Sequence, residues 1–270
     1  MNNLDINTDL TAEIIIGFIQ SETTRAGFSR AVIGVSGGVD SALACFLAAR
    51  ALGEKNVLAL RMPYKTSSQA SLDHAQLVLE KTGVQSITIP ISDIADGLIN
   101  QFPDMSKIRQ GNIMARSRMI ILYDRSAAFN GLVVGTGNKT EILLGYSTVY
   151  GDSACAFNPV GDLYKTQVRQ LSRTLGVPDV IIDKAPTADL WAGQTDEGEF
   201  GFTYAEVDQL LYLLIDEQYP PDKCIQAGFD KKFVETVVKR IQRSHFKRVM
   251  PSIAKISSRT VSYDFPHLRD

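Results

Sequence analysis

Apolar residues fall along the chain in two alternating rhythms. Ala31 to Val35 is a short run of small and β-branched residues, the pattern of a strand buried on both faces. Val57 to Leu60 repeats it, Ser86 to Ile91 alternates as a third strand, and Leu132 to Gly135 makes a fourth. Between the strands the spacing becomes helical. Residues 9 to 26 predict a first helix with Ile14, Ile15, Phe18 and Ile19 as its apolar stripe. Ser41 to Leu52 predicts a second, closed by Gly53, and Ser68 to Thr82 a third with Gly83 just past its end. Residues 109 to 130 predict a long helix ended by Gly131. On a 100° wheel its Ile113, Ile120, Ile121, Ala127 and Ala128 form one stripe, with Arg109 and Arg116 on the edge. This alternation predicts a doubly wound parallel α/β sheet with helices on both faces. Such a sheet takes its ligands at the carboxyl ends of its strands.

After about residue 190 the pattern changes. "AGQTDEGEFGF" (192 to 202) reads as a mobile glycine-rich acidic loop. Thr203-Tyr-Ala-Glu206 has the form of a capping box, and Asp230 starts another helix reaching about Arg243. The expectation is one domain over 1–270: an α/β core to about 190, then a helical C-terminal extension.

Composition removes several function classes. A net charge of −2 gives no global positive field for nucleic acid or anionic membrane. Three scattered cysteines, Cys45, Cys155 and Cys224, suit a reducing cytoplasm and make neither a disulfide framework nor a zinc site. The polar, acidic start MNNLDINTDL is no signal peptide, and no apolar run approaches the ~18 residues of a membrane helix.

Candidate chemistry begins where the first strand ends, at Ser36-Gly37-Gly38-Val39-Asp40-Ser41. A strand, a glycine corner and a helix start bring backbone N–H groups and the positive end of a helix dipole together, which suits phosphate. Ser-Gly-Gly alone would read as a capped turn. A carboxylate inside the corner changes that, because Asp40 would repel a polyphosphate unless a cation such as Mg²⁺ stood between them. The loop has neither the Rossmann nor the Walker spacing.

The corner resembles the pyrophosphate loop of the ATP pyrophosphatases, which adenylate their substrates. Further segments narrow the resemblance to the ammonia-dependent NAD synthetase family: "LRMPY" (60 to 64), "GNIMARSRM" (111 to 119), "VVGTGNKTEILLGY" (133 to 146), "YGDSACAFNPVGDLYKTQV" (150 to 168), "KAPTADLW" (184 to 191) and "FKRVMP" (246 to 251). The resemblance implies an adenine nucleotide α-hydrolase-like fold, a homodimer, and ATP-dependent amidation of deamido-NAD through an acyl-adenylate.

It also assigns residues. Ser36, Gly37, Gly38, Val39, Asp40, Ser41, Thr136, Lys165 and Thr187 would contact ATP, with Asp40 and Lys165 in the catalytic centre and Asp40 and Glu141 on Mg²⁺. Alone, Glu141 would read as a first-turn glutamate on a helix dipole and Lys165 as a solvated helix lysine. Arg61, directly after a strand, reads as an adenine-nucleotide contact or as a surface arginine. Arg116 matches the family's dinucleotide-binding arginine, or is a snorkelling boundary residue. Lys247 matches a lysine that closes over the substrate, or is one charge of a basic stretch.

The chain also departs from the family. Bacillus-like members carry lysine and aspartate where this chain has Val149 and Ala156, and histidine where it has Phe246. The substrate contacts are therefore expected at Asp152, Asn158 or His245, beside Phe246 and Lys247. With the loop already at residue 36, no fused amidase domain is expected, and free ammonia or a separate glutaminase protein would supply the nitrogen. A tRNA-modifying relative would call for a basic face or paired cysteines, and a non-catalytic ATP-binding module would not need Glu141 and Lys165.

Overall fold

The computed structural model describes residues 4–187, 198, 201–261 and 264. Its centre is a four-stranded sheet of order β3-β2-β1-β4. The strands are β1 (Ala31–Gly34), β2 (Val57–Arg61), β3 (Gln85–Thr88) and β4 (Leu132–Val134), and all neighbours are parallel. β1 therefore has β2 on one side and β4 on the other. Winding reverses there, and the carboxyl ends of β1 and β4 flank the crevice this creates.

Alternation along the strands divides the core in two. Ala31, Ile33, Val57 and Ala59 face one layer, made by α1 (Thr8–Arg25), α2 (Val39–Leu52), α3 (Gln69–Thr82), α7 (Lys165–Leu175) and α8 (Asp179–Ile182). Val32, Leu58 and Leu60 face the other, made by α4 (Ser92–Ile99) and α5 (Lys107–Phe129). Both faces are covered, as the continuous apolar runs of β1 and β2 require.

A second core forms beyond the sheet. α6 (Lys139–Leu144), α9 (Tyr204–Leu211), α10 (Pro221–Gln226) and α11 (Lys231–Arg243) enclose Leu144, Tyr204, Leu210, Leu211, Cys224, Val234 and Val237. The Thr203–Glu206 capping box is present at the start of α9, and Asp230 caps α11 by accepting from the Phe233 N–H at 2.9 Å.

Three expectations need correction. β3 is shorter than Ser86 to Ile91 and is an edge strand, so all four of its residues are exposed. On α1 the buried face is Ala12, Ile15 and Ile19, while Ile14 and Phe18 are exposed. On α5 the buried face is Gly111, Met114, Ala115, Ser117 and Ile121. Ile120 is 55% exposed, and Ala127 and Ala128 also face outward. A wheel groups apolar residues without knowing which face has a neighbour. Of the glycine-rich stretch 192–202, all but 198, 201 and 202 lie outside the described residues.

Candidate active site

The corner after β1 is shaped by its own hydroxyls. Ser41 Oγ donates to the Gly38 carbonyl at 3.0 Å and lies 3.1 Å from Ser36 Oγ. The N–H groups of Ser36 and Gly38 donate back to Ser41 Oγ and Ser36 Oγ at 3.2 and 3.3 Å. Gly37 has φ +81°, and a Cβ there would lie 2.2 Å from the Ser71 carbonyl oxygen on α3. Its role is this close approach to α3 as much as access for a ligand. α2 then begins at Val39 with no side-chain cap, so its first-turn N–H groups are the orphan donors of a helix start. Asp40 lies in that first turn.

The second wall comes from the turn after β4. Asn138 opens α6 with a full capping box: its Oδ1 accepts the Glu141 N–H at 2.9 Å, and Glu141 Oε2 accepts the Asn138 N–H at 3.3 Å. The same Asn138 donates through Nδ2 to Asp40 Oδ1 at 2.8 Å. One buried amide thus ties together the two helix starts that bear the carboxylates.

Lys165, the first residue of α7, completes the group. Its ammonium donates to Asp40 Oδ2 at 2.6 Å and to Glu141 Oε1 at 3.2 Å, and it lies 5.0 Å from the Tyr204 ring centroid. The Lys165 N–H donates to Thr140 Oγ1 at 3.0 Å. Thr140 in turn donates to the buried carboxylate of Asp208 at 2.5 Å, and the Thr166 N–H donates to the other Asp208 oxygen at 2.8 Å. Burial pushes Asp208 above the usual carboxylate range, against the pull of Thr140, Thr166 and the nearby Lys165 charge.

These groups stand at one end of a cleft of about 650 Å³. Ser36, Gly38, Val39, Asp40, Ser41, Arg61, Thr136, Glu141, Lys165 and Thr187 all line it, as do Asp152 and Lys247. Gly37 lies behind the loop. Arg61 Nη1 donates to Gln76 at 2.8 Å. Lys247 donates to the carbonyls of Gly145 and Ser147 at 2.7 and 2.6 Å; burial lowers its pKa, and Asp152 opposes that. Asp152 accepts the Thr148 N–H at 2.8 Å. Its carboxyl remains open to water, yet the surrounding cleft wall pushes its pKa up.

Four expected substrate residues do not line the cleft. Arg116 is exposed on α5, with Nε and Nη2 each 3.3 Å from the Val149 carbonyl oxygen. Asn158 braces the turn after β4, donating to the Gly137 carbonyl at 2.7 Å. Phe246 is exposed, as is His245.

Sequence reasoning missed Asn138, Lys184 and Asp208. The Asn138-x-x-Glu141 spacing is itself a capping signal. Lys184 lines the cleft and donates to Ser71 Oγ at 2.8 Å, beside His74. Burial, and then the Lys184 charge, holds the His74 pKa down. Lys184 opens the segment "KAPTADLW" but is given no role of its own, and nothing local in the sequence marks Asp208.

The fold and the cleft at its winding reversal define a nucleotide-binding α/β enzyme of the adenine nucleotide α-hydrolase type. Comparison with known proteins agrees. The NAD synthase family profile matches residues 11–251. An NH(3)-dependent NAD(+) synthetase of Trichlorobacter lovleyi is 54% identical over 270 residues, covering 100% of this chain and 99% of that one. Among solved structures, the NH3-dependent NAD synthetase of Campylobacter jejuni has a TM-score of 0.79 at 36% identity, over 93% of this chain and 100% of that chain. An NMN synthetase of Francisella tularensis has a TM-score of 0.83 at 31% identity, over 93% and 99%. The chain belongs to the NAD synthase family, and so to the ATP-dependent ligases of NAD synthesis.

Proposed function

We propose that the protein amidates deamido-NAD with ammonia, converting ATP to AMP and pyrophosphate through an acyl-adenylate. The observation that carries this reading is the meeting of Asp40, Glu141 and Lys165 at the uncapped start of α2.

A nicotinate carboxylate is a poor electrophile, since its leaving group would be oxide. Attack by a carboxylate oxygen on the α-phosphorus forms an oxygen–phosphorus bond and breaks the link to the β-phosphate, whose electron pair leaves with pyrophosphate. Ammonia then adds to the activated carbonyl, the bond to AMP breaks, and a proton is lost. The protein's part is positioning and charge stabilisation. The corner at 36–41 and the α2 N-terminus hold the departing phosphates, and the Lys165 ammonium offsets their charge. Thr136, Thr187 and Arg61 line the nucleotide side; Asp152 and Lys247 line the side left for the dinucleotide. Arg116 is assigned to the substrate by resemblance alone; Asn158 and Phe246 are assigned to it where the chain departs from the family pattern.

Among the described residues, no group of three or more His, Cys, Asp or Glu side chains gathers as a metal site. The two carboxylates on Lys165 nevertheless fit Mg²⁺, which takes one or two protein carboxylates and completes its shell with phosphate oxygens and water. Asp40 and Glu141 would hold it, and it would neutralise charge on the pyrophosphate.

Homodimerisation and a cytoplasmic location go with this reading. Ile94, Leu98, Ile120 and Tyr123 are exposed along α4 and α5, which supports a partner subunit there. No helix among the described residues is long and apolar enough to cross a membrane.

Pyrophosphate release on mixing ATP, magnesium, ammonium and deamido-NAD tests the activity. Release equal to NAD formed is expected, with much less when glutamine replaces ammonium. ATP binding without pyrophosphate release would reject the reading.

A further inference from the structure

Lys165 is gripped from a helix that supplies nothing else to the cleft lining. Tyr204 and Asp208 lie four residues apart on α9, so they share one face, and both are 0% exposed. Tyr204 places its ring 5.0 Å below the Lys165 ammonium. Asp208 works one turn further on. One of its oxygens takes the Thr140 hydroxyl at 2.5 Å, and that hydroxyl accepts the Lys165 N–H at 3.0 Å. Its other oxygen takes the Thr166 N–H at 2.8 Å.

α7 follows Tyr164, a residue type that seldom caps a helix, and Asp208 supplies an anion to its first turn from a distant element. A buried carboxylate is disfavoured unless such donors meet it, so its retention between two helix starts needs a reason. Thr140 belongs to α6, which carries Glu141, and Lys165 and Thr166 belong to α7. Asp208 therefore fixes the two elements whose side chains, Glu141 and Lys165, meet each other beside Asp40.

We propose that α9 is the positioning element of the phosphate site, with Tyr204 fixing the direction of the Lys165 ammonium and Asp208 locking the α6 and α7 starts that carry Glu141 and Lys165. The proposal rests on the reading of Lys165 as an ATP contact. Neither residue touches substrate: Tyr204 acts through Lys165, and Asp208 through Lys165 and Glu141. Their loss weakens ATP and leaves the dinucleotide side alone.

The test is a double-mutant cycle read as ATP–magnesium affinity by calorimetry, beside the KM values for ATP and deamido-NAD. Asp208→Asn keeps the shape but removes the charge, and Tyr204→Leu removes the ring. Asp208→Asn is expected to weaken ATP about tenfold and Tyr204→Leu about fivefold, within the range for contacting residues and cation–π pairs. The KM for deamido-NAD should stay within about twofold. Tyr204→Phe, which keeps the ring face, should recover most of the affinity lost in Tyr204→Leu; should the leucine variant fail to fold, Asp208→Asn carries the test alone.

In a Lys165→Met background, Tyr204→Leu should not weaken ATP further, and Asp208→Asn should weaken it by clearly less than in the wild type, since only its hold on Glu141 is left. If they lower affinity there by the same factor as in the wild type, they act by another route and the proposal fails. Wild-type ATP affinity in both single variants also overturns it. Should Lys165→Met itself bind ATP as tightly as the wild type, the reading of Lys165 falls first, and the proposal with it.

Discussion

The sheet region and the helical region behind it both serve the same cleft, by opposite means. The sheet supplies backbone: a glycine corner after β1, a turn after β4, and an uncapped helix start. The helical region supplies side chains from far along the sequence, with Asp208 reaching Thr140 across 68 positions and Lys247 reaching Gly145 across 102. Each region has its own apolar core, around Leu43, Leu47 and Leu171 in one and Tyr204, Leu210 and Val234 in the other. Phosphate recognition needs rigid donors at one point, which a strand end provides. Holding a buried cation needs opposing charge from several directions, which only packing can provide.

The largest effect that separates the two regions is kinetic. Asp40→Asn, on the sheet side, should reduce kcat by about 10³, the scale of losing a charge-stabilising group at the reacting centre. Lys247→Met, on the helical side, should raise the KM for deamido-NAD about tenfold and leave ATP affinity unchanged. Steady-state assays of NAD formation with each substrate varied decide it. A tenfold or smaller fall in kcat for Asp40→Asn would remove the sheet side from the chemistry.

Next in size is Gly37→Ala. The position combines φ +81° with a Cβ site 2.2 Å from a backbone oxygen of α3, so neither the torsion nor the neighbour can yield easily. A loss of about 3 kcal/mol is expected, seen as a Tm about 8 °C lower, together with lost ATP binding. An unchanged Tm would mean that the corner is softer than its packing implies.

How much of this was legible follows the same division. Residues 36–41 could be read because strand, glycines and helix start are contiguous, and the chemistry lies in their order. Asn138 was equally readable, as the first residue of an Asn-x-x-Glu box, since the first-turn reading of Glu141 already implies a cap three residues earlier. Asp208 was not readable: an aspartate inside an apolar helix gains its meaning from Thr140 and Thr166, which the fold alone brings to it. The α5 stripe failed for a related reason. Ile120 and Tyr123 are apolar in a face that nothing among the described residues covers, so periodicity alone could not place the core.

Gly145→Ala probes the seam between the regions. Its φ is +68°, and a Cβ would lie 2.1 Å from the Ser244 Cβ, just past the end of α11. Around it, Lys247 holds the Gly145 and Ser147 carbonyls and Arg248 holds those of Ile142 and Leu143. A loss of about 2 kcal/mol is expected, with a raised KM for deamido-NAD and ATP affinity kept. Weakened ATP binding in this variant would show that the seam transmits strain to α6 and Glu141.

The smallest effect asks whether the two regions open separately, and the chain carries its own probes. Cys45 is fully buried in the sheet region and Cys224 in the helical region. Burial pushes the Cys45 thiol up to about 12, against a hydrogen bond to Thr82. At pH 8 its thiolate fraction would be about one in ten thousand, so reaction requires opening first. Burial also raises Cys224, with Lys223 opposing. In a Cys155→Ser background, which removes the half-buried third thiol, labelling in low guanidinium reports each opening separately. Cys224 should label about tenfold faster than Cys45, a difference of about 1.4 kcal/mol, because its core is built from short helices while α2 packs along the sheet. Added ATP and magnesium should slow both, since the ligand bridges the sheet corner and the α7 start that α9 holds. Equal rates at every denaturant concentration would mean that Lys165 and its supports form one cooperative unit with the sheet.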